Sequence, residues 1–178
     1  INDYTGLYYG AVLGPDGCVY GIPHGARKFF KLDPETNAVT TFGSAPGGGA
    51  YWGGVVANNG KIYCIPSAAT GVLELDPSNQ RLTSFGMHDP GQYKYSGGVL
   101  APNGKIYCMP DRAKKILIID PDKQDISLIE DDLGAGAGKA FGGVLAPNGK
   151  IYSGMGGSNR MIVIDPSDDS ISYIENLP

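Results

Sequence analysis

The sequence predicts an all-β protein, a β-propeller of four blades that each contain four antiparallel strands. Two markers that repeat in step along the 178 residues lead to this prediction. The first reads GGVLAPNGKIY in its last two copies, and its four copies begin 43, 44 and 45 residues apart, at Gly10, Gly53, Gly97 and Gly142. The second is an Asp-Pro pair that recurs at the same intervals, at Asp33, Asp76, Asp120 and Asp165. A period in the low forties is the length of one four-stranded blade.

The second repeat shows the predicted order of strands within a blade. A short apolar strand at 53–57 leads into an Asn-Asn-Gly hairpin turn, since Asn and Gly tolerate positive φ. The alternating run 61–66 predicts the second strand, and 72–75 and 81–85 predict the third and fourth, joined by the Asp-Pro turn. The other repeats fit the same plan, with third strands at 29–32, 116–119 and 161–164 and fourth strands at 39–42, 126–129 and 171–174. No segment shows the apolar periodicity of a surface helix.

The four blades are expected to form a single propeller domain spanning residues 1–178. Their predicted limits are about 8–46, 51–89, 95–133 and 140–178. Two arrangements are open at this point: a closed four-bladed ring, or half of a larger ring, such as an eight-bladed one, completed by another chain or further blades. The glycine pair that starts each first strand fits the crowded centre in either case.

Composition limits the classes of function. The net charge of −4 argues against non-specific nucleic-acid binding, which needs a basic surface. No apolar run approaches the roughly 18 residues that span a bilayer. The first ten residues, INDYTGLYYG, lack the basic and apolar parts of a signal peptide, so we expect any targeting segment to have been removed. The compartment is not determined by the sequence, although an extracellular or surface-associated setting is favoured.

The blade motif resembles the propeller arrays of the NHL-repeat and streptogramin-lyase type. There, too, a blade runs from an innermost strand through an Asp-Gly or Asn-Gly hairpin to an aromatic-bearing second strand and an (I/L)DP turn. GGVLAPNGKIY followed by LIIDP is more similar still to tandem repeats of algal and protist proteins. The resemblance covers the whole chain and implies blade architecture rather than a chemistry. Streptogramin lyases rely on His and Glu residues near the ring centre, and matching positions are absent here, which argues against lyase activity.

Basic and acidic residues occur on different loops. The loops between second and third strands carry the basic residues His24, Arg27, Lys28, Arg112, Lys114, Lys115 and Arg160, whereas the Asp-Pro turns are acidic. In a propeller the former loops share one face with the inter-blade loops. One interpretation is an anionic partner, such as an acidic glycan or a phosphate group, on this basic face. The alternative, ordinary solvated loops, is favoured by Asp89, Asp131 and Asp132 on the inter-blade loops.

Aromatic residues directly before the glycine pairs add a second feature near the predicted channel mouth. One row is Tyr9, Trp52, Ser96 and Phe141, and the row before it is Tyr8, Tyr51, Tyr95 and Ala140. Exposed rings there could stack on sugars, and buried rings would pack between blades. The predicted ligand-binding residues are His24, Arg27, Lys28, Tyr51, Trp52, His88, Lys94, Arg112, Lys114 and Lys139.

Few residues suit catalysis. The two histidines, His24 and His88, share no spacing typical of a metal site, and the first strands contain no Asp, Glu or His. We predict no catalytic residue, metal or cofactor. The expected role is a non-catalytic binding or scaffolding module for a glycan or anionic small molecule, with a homodimer or larger assembly as a further partner state. The alternatives are a lyase- or hydrolase-type enzyme around the two histidines, and a purely structural repeat of an extracellular assembly.

Two other motifs have structural interpretations. One repeat position holds only small residues, Gly21, Cys64, Cys108 and Ser153, which predicts a tight packing site and, with Cys18, three free thiols. The stretch GAGAGK at 134–139 superficially resembles a phosphate-binding loop. It lacks that motif's spacing and its Ser or Thr, and it precedes a strand, so we predict a flexible inter-blade linker.

Overall fold

The computed structural model describes residues 6–87, 91, 93–157 and 160–175, and within them it contains sixteen β-strands and no helix. The strands form four sheets of four, and consecutive strands of each sheet pair antiparallel. Blade 1 comprises β1 to β4, at Tyr8–Leu13, Val19–Pro23, Phe29–Leu32 and Val39–Phe42. Blade 2 comprises β5 to β8, at Tyr51–Val56, Ile62–Pro66, Val72–Asp76 and Arg81–Phe85. Blade 3 comprises β9 to β12, at Tyr95–Leu100, Ile106–Pro110, Ile116–Asp120 and Asp125–Ile129. Blade 4 comprises β13 to β16, at Ala140–Leu145, Ile151–Met155, Met161–Asp165 and Ser170–Ile174. One meander sheet per repeat confirms the predicted propeller fold with four blades.

The chain divides into two compact units, unit 1 with blades 1 and 2 (Ile1–Gln92) and unit 2 with blades 3 and 4 (Tyr93–Pro178). In unit 1, β5 packs against β1 and β2, and in unit 2, β13 packs against β9 and β10. The buried core of unit 1 includes Tyr20, Ile22, Phe29, Tyr51, Ile62, Cys64, Leu73 and Leu75. The buried core of unit 2 includes Tyr107, Met109, Ile116, Ile118, Ile151, Ile162 and Ile164. Within each unit the two blades thus share one apolar core. No helix of the described residues is long and apolar enough to cross a bilayer.

The first glycine of each repeat has positive φ, and at Gly10 and Gly97 it also lies close to the main chain of the next blade. In blade 2 the register between β5 and β6 shifts between Tyr51 and Gly54, which marks a bulge, and Gly53 within it has φ of 76°. Positive φ at a bulge favours glycine. The main chains of neighbouring blades also lie close together, because a Cβ on Gly10 would be 3.1 Å from the Cα of Gly53. The predicted crowding is present in unit 1, together with a backbone requirement that the sequence did not show.

The second strands of blades 1, 2 and 3 each carry a fully buried tyrosine whose hydroxyl group donates a hydrogen bond to a carboxylate, at Tyr20, Tyr63 and Tyr107. In blade 2, Tyr63 is fully buried and donates a hydrogen bond of 2.8 Å to Glu74, whose other oxygen pairs with Lys61 at 2.6 Å. In blade 1, the Tyr20 hydroxyl donates to Asp16 at 2.7 Å. Burial, together with this hydrogen bond, raises the pKa of Tyr20 to about 12. Buried polar ends of this kind need partners, and here a carboxylate supplies them.

The Asp-Pro turns close through the aspartate side chain. In all four the carboxylate accepts the main-chain N–H two residues later, at 2.9 Å for Asp33, 2.9 Å for Asp76, 3.2 Å for Asp120 and 3.0 Å for Asp165. The hydroxyl and N–H of Ser167, with the Lys150 ammonium 3.1 Å away, hold the pKa of Asp165 at about 2. Aspartate recurs at this position because it can bond to its own turn.

The three cysteines are free. Cys64 and Cys108 are fully buried, and burial raises the pKa of both thiols. Cys64 pairs with Leu73 between β6 and β7, and Cys108 pairs with Leu117 between β10 and β11. The repeat position with small residues is therefore a packing site in blades 2 and 3, as predicted.

Candidate functional site

In unit 1 the loop between β2 and β3 is hydrogen-bonded to the segment that precedes β1 and to the segment that precedes β5. The main-chain N–H groups of His24 and Ala26 donate to the carbonyl oxygen of Leu7, at 2.9 and 3.0 Å. The carbonyl oxygen of His24 accepts hydrogen bonds from Gly49 and Ala50, at 2.9 and 3.1 Å. The residues that precede β1 and β5 are thereby fixed to the same short loop.

Three aromatic side chains cluster on this edge, and we call Tyr9, His24 and Trp52 the aromatic patch. The rings of Tyr9 and His24 are stacked with centroids 4.2 Å apart, and the Tyr9 and Trp52 rings are 4.6 Å apart and tilted. Trp52 also meets His24 edge-on at 5.6 Å. His24 is only 6% exposed, whereas Tyr9 and Trp52 are half-buried and keep part of their surface in solvent.

His24 holds the patch to the main chain of blade 2. Its Nδ1 atom lies 2.9 Å from the carbonyl oxygen of Tyr51. Because a carbonyl oxygen can only accept, Nδ1 carries the proton in this contact. Tyr51 itself is 3% exposed and belongs to the core, and its burial raises the pKa of its phenol group. It contributes its carbonyl group to the patch rather than its ring.

Two cationic side chains lie on the same loop as His24. Arg27 and Lys28 are both exposed. The carbonyl oxygen of Arg27 accepts a 2.8 Å hydrogen bond from Ala45, which fixes the main chain beside the residue. Unit 1 therefore presents two half-exposed rings and two exposed positive charges near the same loop.

In unit 2 two of the predicted binding lysines are buried. Lys94 is 7% exposed and Lys139 is 8% exposed, and burial lowers the pKa of both ammonium groups. The Nζ atom of Lys139 donates to the carbonyl oxygens of Gly136, Arg112 and Asp111, at 2.7, 3.3 and 3.5 Å. This lysine bonds to main-chain carbonyls and does not extend into solvent.

The structure separates the remaining predicted residues. Arg112 and Lys114 are exposed on the loop between β10 and β11, and the Arg112 guanidinium lies 4.9 Å from the centre of the Tyr93 ring. His88 lies outside the described residues. Unit 1 thus brings together Trp52, His24, Arg27 and Lys28, and unit 2 holds Lys94, Arg112, Lys114 and Lys139.

Sequence reasoning left Tyr9 out of the predicted site, although it named the row in which Tyr9 occurs. The signal that identifies it is its repeat position, directly before the glycine pair and equivalent to Trp52. Among residues 6–87, 91, 93–157 and 160–175, no group of three or more His, Cys, Asp or Glu side chains is arranged to hold a metal ion.

No family model and no curated protein matches the chain. Solved structures do match its fold. A catalytically inactive virginiamycin B lyase from Staphylococcus aureus, solved with quinupristin, is 17% identical with a TM-score of 0.77, over 100% of this chain and 59% of that one. A streptogramin B lyase is 20% identical with a TM-score of 0.79, over 97% and 55%. Hydrazine synthase from Kuenenia stuttgartiensis is 16% identical with a TM-score of 0.70, over 98% and 51%.

These similarities show a propeller fold. The chain spans between half and three fifths of the length of the three proteins. At such low identity, the shared feature is the arrangement of strands and blades, and the chemistry of the lyases does not follow from it.

Proposed function

We propose that the chain is a non-catalytic binding module that recognises an acidic carbohydrate through the aromatic patch of unit 1. The observation that carries this proposal is the combination of half-exposed Tyr9 and Trp52 rings with exposed Arg27 and Lys28 on one edge. The rings would contact the apolar face of a sugar, and the cations would pair with its carboxylate or sulfate groups.

Packing within the patch favours binding because it fixes the rings in advance. Tyr9 is held between His24 and Trp52, and His24 is fixed by its hydrogen bond to Tyr51. Immobilising a side chain on binding costs about 0.5–1.5 kcal/mol, and a ring that is already held avoids most of this cost. Aromatic side chains with partly exposed faces are also the residues that most often dominate binding energies.

The charges on the loop favour an acidic over a neutral ligand. Arg27 and Lys28 are exposed, so their attraction for an anion is screened by salt. We therefore expect them to set the preference for acidic sugars and the salt dependence, and the rings to set most of the affinity.

The proposal is tested by calorimetric titration of the full chain with neutral, uronic-acid-containing and sulfated oligosaccharides. Trp52→Ala should weaken binding about tenfold or more. Because the variant also loses ring contacts with Tyr9 and His24, its unfolding midpoint is measured in parallel and binding is assayed well below that temperature. Phe141→Ala is the matched control, because Phe141 holds the equivalent repeat position in unit 2 and is 49% exposed.

Charge variants separate the two parts of the site. Arg27→Gln should weaken binding of acidic oligosaccharides only, and Lys114→Gln, an exposed lysine of the corresponding loop in unit 2, should leave it unchanged. The proposal is wrong if no oligosaccharide binds at millimolar concentration, or if the Phe141 and Lys114 variants lose as much affinity as the unit 1 variants.

A lyase is the second candidate, because His24 lies in the patch and the fold is similar to that of two lyases. The side chains in contact with His24 are Tyr9 and Trp52, and its Nδ1 atom is engaged by the carbonyl oxygen of Tyr51. Among the described residues no carboxylate contacts the imidazole, so His24 lacks the partner that usually orients a catalytic histidine. Incubation with quinupristin followed by mass spectrometry should show no product. A product that disappears in the His24→Ala variant would favour the enzyme.

A further inference from the structure

The contact between blades 3 and 4 in unit 2 shows how one repeat packs on the next. Val99 of β9 pairs with Tyr107 of β10, so their side chains share one face of the blade 3 sheet. This face is covered, because Val99 is 8% exposed and Tyr107 is fully buried. A Cβ built on Gly143 of blade 4 would lie 3.2 Å from Cγ2 of Val99 and 2.9 Å from the sulfur of Met109. The first strand of blade 4 is therefore packed directly on this face.

The same junction contains hydrogen bonds from blade 3 to the Asp-Pro turn of blade 4. The Asn103 amide nitrogen donates to the Tyr107 hydroxyl and to the carbonyl oxygen of Pro166, both at 2.9 Å. The Tyr107 hydroxyl in turn donates to the carboxylate of Asp169. A buried hydroxyl group needs such an acceptor. The junction thus combines apolar contact between inner strands with two donors that reach the turn of the next blade.

Blade 4 repeats the donor side of this junction without a receiving blade. Val144 and Tyr152 form the pair equivalent to Val99 and Tyr107, but Val144 is 63% exposed and Tyr152 is only half-buried. Asn148 donates to the Tyr152 hydroxyl at 2.9 Å. Among the residues that the structure describes, none accepts a hydrogen bond from the Tyr152 hydroxyl or a second one from Asn148. We call Val144, Asn148 and Tyr152 the blade 4 outer face.

Blade 1 carries the receiving side of the same junction. In blade 2 the side turned toward the preceding blade includes Ile62 and Leu75, which are fully buried in the core shared with blade 1. The equivalent pair in blade 1 is Val19 and Leu32, and both are only half-buried. Leu13, which pairs with Val19, is 65% exposed. Blade 1 therefore presents apolar side chains of the packing type to solvent. We call Leu13, Val19 and Leu32, together with Ala11 on the same side of the sheet, the blade 1 outer face.

The two outer faces also match in size at one position. A Cβ on Gly54 of blade 2 would lie 3.0 Å from Cδ1 of Ile22, closer than nonbonded carbons normally approach. Blade 1 nevertheless has Ala11 at the repeat position of this glycine. Blade 4, in turn, has Gly154 at the position of Ile22 and Met109. A junction between blades 4 and 1 therefore places the larger of the two residues opposite the smaller one.

We propose that the blade 4 outer face binds the blade 1 outer face of a second copy of this chain, in the arrangement that joins blade 3 to blade 4. The repeat positions of Asp169 and Pro166 are held in blade 1 by Asn37 and Pro34. The Tyr152 hydroxyl therefore donates to the partner's Asn37, and the Asn148 amide donates to the carbonyl oxygen of the partner's Pro34.

A second copy is the occupant that the chain's own features favour. It supplies a matching face for each of the two exposed faces, and the contact continues the packing already present within unit 2. Because the two faces differ, the contact is heterologous, joining the end of one copy to the beginning of the next. It removes from water two apolar surfaces of the kind that usually mark an interface. Neither outer face includes a residue of the aromatic patch.

The test is sedimentation velocity of the full chain over a range of concentrations. The unmodified chain should associate, with a mass that rises with concentration from that of one chain to that of two or more. Val144→Asp and Leu13→Asp should each raise the Kd of association at least tenfold, because each places an unpaired charge in an apolar junction. Met87→Asp is the control, since Met87 is an exposed apolar residue after β8 and outside both faces.

Mixing the two face variants tests which surfaces meet. Leu13→Asp retains the blade 4 outer face, and Val144→Asp retains the blade 1 outer face. Neither should associate alone, and an equimolar mixture should form a one-to-one pair through the one intact junction. Tyr152→Phe should raise the Kd of the unmodified chain about threefold to tenfold, as expected for loss of one hydrogen bond to the partner.

Several outcomes would overturn the proposal. These are a chain that stays monomeric at all concentrations, a Met87→Asp variant that loses as much association as the face variants, and a mixture that does not pair. Association that is lost in Val144→Asp but retained in Leu13→Asp would show that two blade 4 faces meet and would also overturn it. Unfolding midpoints separate loss of association from loss of structure. Binding of acidic oligosaccharide to Val144→Asp separates this surface from the unit 1 site.

Discussion

Replacing a packed cross-strand pair of blade 1 with the corresponding pair of blade 2 tests whether the residue at one repeat position is determined by its cross-strand neighbour. In blade 1, Gly21 faces Phe30 across the β2–β3 pairing, whereas in blade 2 the equivalent pair is Cys64 and Leu73. A Cβ built on Gly21 would overlap three carbon atoms of the Phe30 ring, although nonbonded carbons approach only to about 3.5 Å. Glycine is therefore required in blade 1 by the size of its cross-strand neighbour.

The magnitudes follow from these contacts. Gly21→Cys forces the ring to move and should destabilise unit 1 by about 1–3 kcal/mol, the usual cost of overpacking. Phe30→Leu loses the edge-on contact with Tyr8, at 4.9 Å between ring centres, and should cost about 0.5–1.5 kcal/mol. The double variant installs the pair found in blade 2, so we expect a favourable coupling energy of about 1–2 kcal/mol.

The assay is urea unfolding of the four proteins, followed by tryptophan fluorescence. Trp52 is the chain's one tryptophan and lies in unit 1, so its emission reports the unit that carries both substitutions. The reasoning is refuted if the two changes add within about 0.5 kcal/mol, or if Gly21→Cys alone leaves the free energy of unfolding unchanged.

Two further predictions concern the polar networks. Tyr63→Phe removes a hydrogen-bond donor from Glu74, which is 3% exposed. The free energy of unfolding should fall by about 1–3 kcal/mol in a denaturant titration. An unchanged free energy of unfolding would contradict the role of this hydrogen bond. Ser167 and Lys150 lower the pKa of Asp165 from 3.8 to about 2, so its stabilising contribution is complete above pH 4 and is lost as the pH falls toward 2. Asp165→Asn should flatten the acid dependence of the melting temperature in this range, and an identical pH profile would show that the turn does not depend on the charge.

The fold was largely predictable because its signals are local and repeated. The Asn-Gly and Asp-Pro turns fixed where strands end, and the structure has one sheet per repeat. The first strands were predicted to begin at the glycine pair, but β5 starts at Tyr51. The difference arises from the bulge at Gly53, where strand pairing continues past a residue with positive φ. The amino-acid pattern alone does not show that strand pairing continues across the bulge.

The candidate site was less predictable, since burial of a loop residue depends on contacts distant in sequence. Lys94 and Lys139 were expected to be exposed and are buried. Ala50 occupies the equivalent position in blade 2 and is buried as well, whereas Leu7 in blade 1 is 61% exposed, so the repeat position alone does not determine burial. The main-chain carbonyls that accept from Lys139 are contributed by another loop, which no spacing in the sequence reveals.

The most direct test of the central claim is the exposure of Trp52 to iodide quenching, with and without a saturating acidic oligosaccharide. If the sugar stacks on the aromatic patch, its addition should shift the Trp52 emission saturably and reduce quenching, and the effect should weaken at high salt. An oligosaccharide that binds by calorimetry while Trp52 emission and quenching stay unchanged would contradict the account.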